Sequence, residues 1–272
     1  MSAPLACPRR RRFLAAFWGM VLLGLGLHAG EPSVPPLTAA QRDAHAVFAL
    51  LSAAVAAPDP AHPSLGATLA LYAKNSGSDA SRYEGLEPAA RRILAGTTTT
   101  LVAPESTSQR LFDLAESILA HLRTVAATRA DLQPADFATT SLGLRATAHL
   151  ARYHARRLLA AVHYNLFLRG RRLAELYAAT LDTKTALDTW SELVALLGTR
   201  ETVTFGHPAL TLRGAWGAEL IRLEFDYRDL EAMCCPPDES WLHEKVWSPS
   251  RNEDALTKKP FAPETNTGPP PR

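Results

Sequence analysis

SLGLRATAHLARYHARRLLAAVHYNLFLRGRRLAELYAATLDTKTALDTWSELVALL, residues 141–197, decides the fold. Leu144, Ala148, Ala151, Ala155, Leu158, Val162 and Leu166 recur at steps of three and four. Leu173, Leu176, Tyr177, Thr180, Leu187, Trp190, Val194 and Leu197 do nearly the same. That is the period of one buried helical face, not of a strand. Between the stripes, Arg169-Gly170-Arg171 marks a turn, with Gly170 placed where a residue lacking Cβ takes left-handed geometry at little cost. Arg169 suits the negative end of the first helix dipole. Arg171 and Arg172 open the second helix with the wrong sign, which Glu175 offsets in part. The stretch therefore predicts an antiparallel hairpin of helices over about 141–169 and 171–197, each roughly 40 Å long at about 1.5 Å per residue.

In an antiparallel pair closed at Gly170, opposed residues have nearly constant summed numbers. Leu144 then meets Leu197, Ala148 meets Leu193 and Val194, and Ala151 meets Trp190. Further along, Ala155 meets Leu187, Val162 meets Thr180, and Leu166 meets Leu176. Large falls against small, as close packing requires. Ala151, Ala155, Leu187 and Trp190 are the expected structural residues of this seam.

Downstream, Thr199 to Arg213 reads as an irregular loop containing Phe205-Gly206-His207-Pro208. A last helix follows from about Ala215 to Met233. Its Trp216, Leu220, Leu223, Tyr227 and Leu230 make a narrow seam for docking on the hairpin. Upstream, shorter helices occupy 38–130. Thr38-Ala39-Ala40-Gln41 reads as a capping box opening a helix that Pro58 and Pro60 end. Leu65–Lys74, Leu86–Leu94 and Ser106–Ala127 read as further helices, and Thr97 to Pro104 as an extended connector. Asp131 to Thr140 reads as a turn broken by Pro134. The expected fold class is all-α, a helical bundle organised on the hairpin with a docked C-terminal helix, its helical domain spanning 38–233.

The ends differ in character. Arg9 to Arg12 precede an apolar run from Phe13 to Leu27, and Leu27-His28-Ala29 offers a cleavage site, so 1–29 reads as an export signal. The run falls short of the about 20 residues a membrane-spanning helix needs, although an uncleaved anchor is the alternative. Residues 30–37 read as a Pro-containing linker. Of 29 basic and 27 acidic residues, four Arg and no acid lie within 1–29. Removing them leaves a formal charge of −2, which gives nucleic acid no electrostatic footprint. The expected address is periplasmic or extracellular, with no membrane contact after cleavage. From Pro236 to Arg272 the chain is Pro-rich and charged, a composition that cannot bury enough surface to order itself, though Trp241 and Trp247 are placed to pin its first part to the body.

Cys234 and Cys235 are adjacent, and a vicinal disulfide is strained, so intermolecular pairing or reduced thiols are equally open. Their spacing to His243 matches no zinc pattern, and no metal or other cofactor is expected. No His-Glu-x-x-His, Gly-x-Ser-x-Gly, phosphate loop or dinucleotide fingerprint occurs. His149 and His154 lie five apart, about 140° around a helix, so one face cannot offer both rings to a metal.

One mixed stripe carries chemistry: His149, Tyr153, Arg156, His163 and Phe167. It reads either as a groove for a polar ligand, with rings to stack on a sugar, or as helix–helix pairing. The same register sets His149 opposite Glu192, and Arg152, Tyr153 and Arg156 near Asp188, pairs worth about 0–1 kcal/mol each if exposed. Glu175, Asp182, Asp188, Glu192, Glu219, Glu224 and Asp226 could supply a carboxylate pair for glycoside chemistry, but on exposed faces such residues serve solvation and ion pairing. No acid or base is named by the sequence.

Several phrases carry a resemblance: Tyr153-His154-Ala155-Arg156-Arg157, His163-Tyr164-Asn165-Leu166-Phe167, Ala186-Leu187-Asp188-Thr189-Trp190-Ser191-Glu192-Leu193-Val194, Phe205-Gly206 and Gly214-Ala215-Trp216-Gly217-Ala218-Glu219-Leu220. Over about 144–230 the set resembles the helical region downstream of the catalytic barrel in large exported bacterial proteins related to glycoside hydrolases of the α-glucuronidase and hexosaminidase kind. Ala215 stands where that pattern has His, and nothing upstream reads as a barrel of alternating strand and helix. The resemblance therefore lends no catalytic residue, and implies a stand-alone or truncated accessory module. Three functional readings follow. The first is a non-catalytic exported module that binds or scaffolds, with a protein or a glycan as partner, in a carbohydrate-processing setting. The second is a divergent glycan-active enzyme using the His149–Phe167 stripe. The third is a tetratricopeptide-like solenoid, against which the absent period of 34 speaks.

Overall fold

A computed structural model describes residues 35–55, 68–128, 134–204 and 211–234. Among these, seven helices and one strand pair follow in order: α1 (Pro35–Ala54), α2 (Leu69–Tyr72), α3 (Leu86–Ala95), α4 (Pro104–Thr128), α5 (Pro134–Gly170), α6 (Leu173–Leu197), β1 (Thr202–Thr204), β2 (Thr211–Arg213) and α7 (Trp216–Cys234). The chain is an all-α bundle on a long helix hairpin. The segment read as an export signal, most of the one read as a linker, Phe205-Gly206-His207-Pro208, Cys235 and the Pro-rich end lie outside the described residues.

The hairpin is longer than the sequence predicts on one side. Asp131 to Thr140 was expected as a turn, but α5 begins at Pro134 and runs 37 residues. Proline is at home in a first helical turn, where its missing N–H needs no partner, so it starts this helix instead of breaking it. The same correction applies to α1, which opens at Pro35 rather than behind a Thr38 capping box. The loop 199–213 is not wholly irregular either. Thr202 pairs with Arg213 and Thr204 with Thr211 in an antiparallel ribbon. Tyr83 and Val102 form an isolated parallel bridge, which anchors the extended connector.

At the hairpin tip the left-handed residue is Arg171, with φ 54°, while Gly170 remains the last residue of α5. The Arg171 N–H donates to the Phe167 carbonyl at 2.8 Å, so the turn closes one residue later than glycine chemistry predicts. By contrast, Gly96 ends α3 in the left-handed region (φ 62°). A Cβ built on Gly170 meets Leu94 Cδ2 at 3.4 Å, ordinary contact. The pair Gly170→Ala with Arg171→Gly should therefore stabilise the fold by about 1–2 kcal/mol, by relieving helix entropy at one position and left-handed strain at the next. Thermal unfolding checks it: the midpoint rises by about 2–6 °C, and a lower midpoint contradicts the geometry.

The core centres on α5. Between Gly143 and Val162 only Arg145 is exposed, so this helix is buried on nearly every side rather than along one stripe. A helix enclosed this way belongs to the middle of a layered bundle. α6 covers one side of it, α4 another, and α1, α2 and α3 complete the wall. Two clusters of buried side chains result. Leu144, Ala148, Ala151, Ala155 and Leu158 pack with α1, α2, α3 and α4 residues such as Leu51, Leu69, Leu86, Leu111 and Ile118. Ala146, Leu150 and Tyr153 pack instead with Leu187, Trp190, Leu193 and Leu197 of α6 and with Trp216 and Leu223 of α7.

This corrects the seam. Trp190 does not share a cluster with Ala151, nor Leu197 with Leu144, nor Leu187 with Ala155. Tyr153 takes the place facing Trp190, at 4.7 Å between ring centroids. The antiparallel register itself is close to the one read from the sequence, because His149 faces Glu192, Arg156 faces Asp182 and His163 faces Glu175. The longest apolar stripe on α5 was taken for the hairpin face, whereas it faces α1 and α4. The Ser108 hydroxyl donates to the Ala155 carbonyl at 2.8 Å, and Arg152 pairs with Glu116, both across to α4. Near the tip the two helices do share one cluster, with Val162 and Leu166 beside Leu176 and Ala179.

The loop after α2 closes the far side. Ser78 donates from its backbone and its hydroxyl to the Ser52 carbonyl, and the Asp79 N–H donates to Ala53. These satisfy carbonyls that the end of α1 leaves unpaired. Gly77 makes the approach possible: a Cβ there would sit 2.0 Å from the Ala53 oxygen, which is backbone and cannot yield.

Candidate functional site

The polar side chains of the mixed stripe of α5 reach across to α6. His149 Nδ1 lies 3.4 Å from Glu192 Oε2 without hydrogen-bond geometry, Arg156 is 3.4 Å from Asp182, and His163 Nδ1 is 2.8 Å from Glu175 Oε2. Tyr153 is fully buried, and Phe167 is half-buried against the core. Four of the five side chains thus lie along the α5–α6 interface. Arg156 turns to Asp182 rather than Asp188, which pairs with Lys184 on its own helix.

What the fold does bring together is a polar cluster that the sequence reading passed over. Arg157, fully buried on α5, donates from Nη1 to Asp226 Oδ2 on α7 at 3.0 Å. Both Asp226 oxygens also accept from the Leu69 backbone N–H, at 3.0 and 2.9 Å, which is the first residue of α2. The Arg157 guanidinium sits 5.4 Å from the centroid of the Tyr72 ring. Tyr72 in turn shares a hydrogen bond of 3.1 Å with His154 Nδ1. His154 stacks edge-on against Tyr153, Tyr153 against Trp190, and the Trp190 indole donates to the Trp216 carbonyl at 3.1 Å. Asn165 extends the set by donating to the Ala73 carbonyl at 3.2 Å. Glu219, also buried, pairs at 3.8 Å with Arg222 one turn along α7.

Asp226 and Glu219 were read from the sequence as exposed carboxylates, and both are buried. The signal was available. Asp226 falls three residues after Leu223 and four before Leu230, inside the docking seam of α7, and Arg157 lies beside Leu158 within an apolar run. Charges at buried positions of a helical period are paired or costly. The Arg157–Asp226 pair is a cohesive contact, joining α5 to α7 inside the bundle. Tyr72, Tyr153, His154 and Arg157 have no exposed surface, so no substrate reaches them from solvent. Burial pushes the Tyr153 hydroxyl up to about 12, against the pull of Arg157. Burial also holds Tyr72 well above its ordinary range. Both phenols therefore stay neutral hydrogen-bonding groups at neutral pH. Arg157 Nε and Nη2 and Glu219 Oε2 have no hydrogen-bond partner within the described residues.

Among the described residues no group of three His, Cys, Asp or Glu side chains is placed to hold a metal ion. Cys234 lies 3.4 Å from the Thr180 hydroxyl, and its neighbour Cys235 is outside the described residues. No described helix is long and apolar enough to cross a membrane.

The interfacial imidazole gives a pH dependence. Burial lowers the His149 pKa, and Glu192 raises it less than burial lowers it. The unfolded chain, with His near 6.5, then binds more protons than the folded one as pH falls through and below that value. His149 should therefore subtract stability on acidification from neutral pH, and His149→Gln should flatten that part of the profile. Denaturant midpoints between pH 7 and pH 5 check the sign. A steeper loss in the variant would contradict it.

No family model matches the chain, and no curated protein matches its sequence. Among solved structures, the fold is similar to a chain described as a GH138 enzyme targeting pectin rhamnogalacturonan II, with a TM-score of 0.58 and 13% sequence identity. The alignment covers 73% of this chain and 32% of that one, so the likeness is to about a third of the enzyme.

Proposed function

We propose that this protein is an exported, non-catalytic helical module that binds or scaffolds in carbohydrate processing. The observation that carries the reading is the fold: an all-helical unit with the shape of one third of a glycoside hydrolase. Fold alone does not transfer activity, since chemistry resides in particular residues. The residues support a module without its own chemistry. The polar groups of the α5 stripe are engaged across the hairpin, and the Arg157–Asp226 cluster is sealed inside the bundle. Each holds helices together. The ligand suggested by the neighbour's description is pectin rhamnogalacturonan II, taken either directly or through a catalytic partner protein.

The test uses the purified chain with rhamnogalacturonan II oligosaccharides, followed by calorimetry for binding and by chromatography for products. Saturable binding without product supports the proposal, as does a stable complex with a glycoside hydrolase encoded beside it. Release of product would overturn it in favour of the enzyme reading and a pocket near His149–Phe167. Neither binding nor a partner would remove the carbohydrate setting altogether.

A further inference from the structure

Independently of that role, we infer that the outer face of α7 is the contact surface of a two-fold dimer, in which α7 lies antiparallel against the same helix of a second copy of this chain. Leu223, Asp226 and Leu230 are buried, and Asp226 reaches Arg157 and the Leu69 amide inside the bundle. At about 100° per residue, Ile221 and Phe225 fall on the opposite side of the helix. They are 55% and 60% exposed, and Phe225 is the most exposed of the large apolar side chains described. Ala218 and Ala232, also exposed, carry the stripe in both directions. A Cβ on Gly217 meets nothing within 4 Å, so this side of the helix is open at its start. Steps of three, four and seven are the spacing of a seam along which one helix packs on another.

Charge selects both the occupant and its direction. Arg222 and Asp229 flank the stripe on one side, Glu224 and Arg228 on the other. Two copies related by a two-fold axis at Phe225 bring like flanks together. Phe225 then meets its own counterpart, and Ala218 meets Ala232. Arg222 meets Asp229 on one flank and Glu224 meets Arg228 on the other, and each of these opposite-charge pairs occurs twice. A parallel pair brings opposite flanks together instead, which sets Glu224 against Asp229, and those like charges oppose it. Arg222 can reach outward, because its contact with Glu219 is 3.8 Å and its side chain stays 58% exposed. The face is thus complementary to itself, and only in the antiparallel sense.

A seam of one helix is small, so the dimer belongs to the weak, concentration-dependent class. Sedimentation equilibrium of the purified chain over about 10–500 µM covers the dissociation constants of that class. The wild type should pass from one copy to two across this range. Phe225→Asp should weaken association at least about 100-fold, because the central ring is lost from both copies at once. Glu224→Arg should weaken it about tenfold by facing Arg228 with a like charge at two places, and Glu224→Arg/Arg228→Glu should restore the wild-type constant. All three positions lie outside the core, so these variants keep the helical body. A wild-type monomer throughout the range would overturn the inference and leave the face to another occupant, such as residues 235–272 or a different protein. A dimer that Phe225→Asp leaves intact would overturn it too. So would tighter association in Glu224→Arg, the result a parallel pair gives.

Discussion

Asp226→Ala should lower the stability of the fold by about 3–5 kcal/mol, since it leaves Arg157 charged and enclosed with no counter-ion. That is a large share of the roughly 5–15 kcal/mol that holds a domain together. The loss has two parts. Arg157, with no exposed side-chain surface, loses its 3.0 Å partner, and the Leu69 N–H loses both of its acceptors. The double substitution Arg157→Met/Asp226→Leu separates them. Replacing a buried ion pair by apolar groups of similar volume is often neutral or better, so the first part should be recovered. The Leu69 amide would still lack an acceptor, which keeps about 1–3 kcal/mol of the deficit. Urea unfolding of the two variants beside wild type checks both statements. If Asp226→Ala unfolds with the wild-type midpoint, the cluster is not what joins α7 to α2 and α5.

Trp190→Ala is the second large effect, at about 3–5 kcal/mol. The ring is wholly buried, and it packs against Tyr153 at 4.7 Å and Trp216 at 5.9 Å between centroids. Its removal leaves a void where α5, α6 and α7 meet. Trp190→Phe restores most of the volume but not the N–H that reaches the Trp216 carbonyl, and so should lose only about 1–2 kcal/mol. Equal losses for Ala and Phe would show that the hydrogen bond, not the packing, carries the residue. Denaturant titration followed by far-ultraviolet circular dichroism gives both numbers without relying on the deleted fluorophore.

How much of this was legible beforehand varies by level. The hairpin was readable because helical period, length and a break at 169–172 all agree, and one expected cross-hairpin pair, His149 with Glu192, is present. Which face of α5 meets α6 was not. Alanine-rich Ala148, Ala151 and Ala155 look like a seam for large partners, but α5 is apolar around most of its circumference, so period alone cannot rank its faces. The tip shows a similar limit: Gly170 attracts the left-handed assignment by propensity, yet closure depends on where the Phe167 carbonyl finds its donor, which is Arg171. The polar cluster depended on Tyr72, Arg157 and Asp226, which are distant in sequence. Arg157 and Asp226 stand 69 residues apart, and nothing local announces the pairing. Of the stripe, the pairing of His149 with Glu192 was legible because both helices lie within one hairpin, whereas Arg156 turns to Asp182 and Arg152 to Glu116 instead of Asp188.

The long separation of Arg157 from its carboxylate also orders assembly. A chain emerging from its amino end presents α1 to α4 first, but their shared wall is α5, so neither half can finish its interior alone. Even with the hairpin closed, the guanidinium keeps its hydration shell until Asp226 arrives on the last helix. Seating of α7 is thus the step that expels solvent from the centre, and a truncation before residue 226 would yield a loosened, helical but unsealed body.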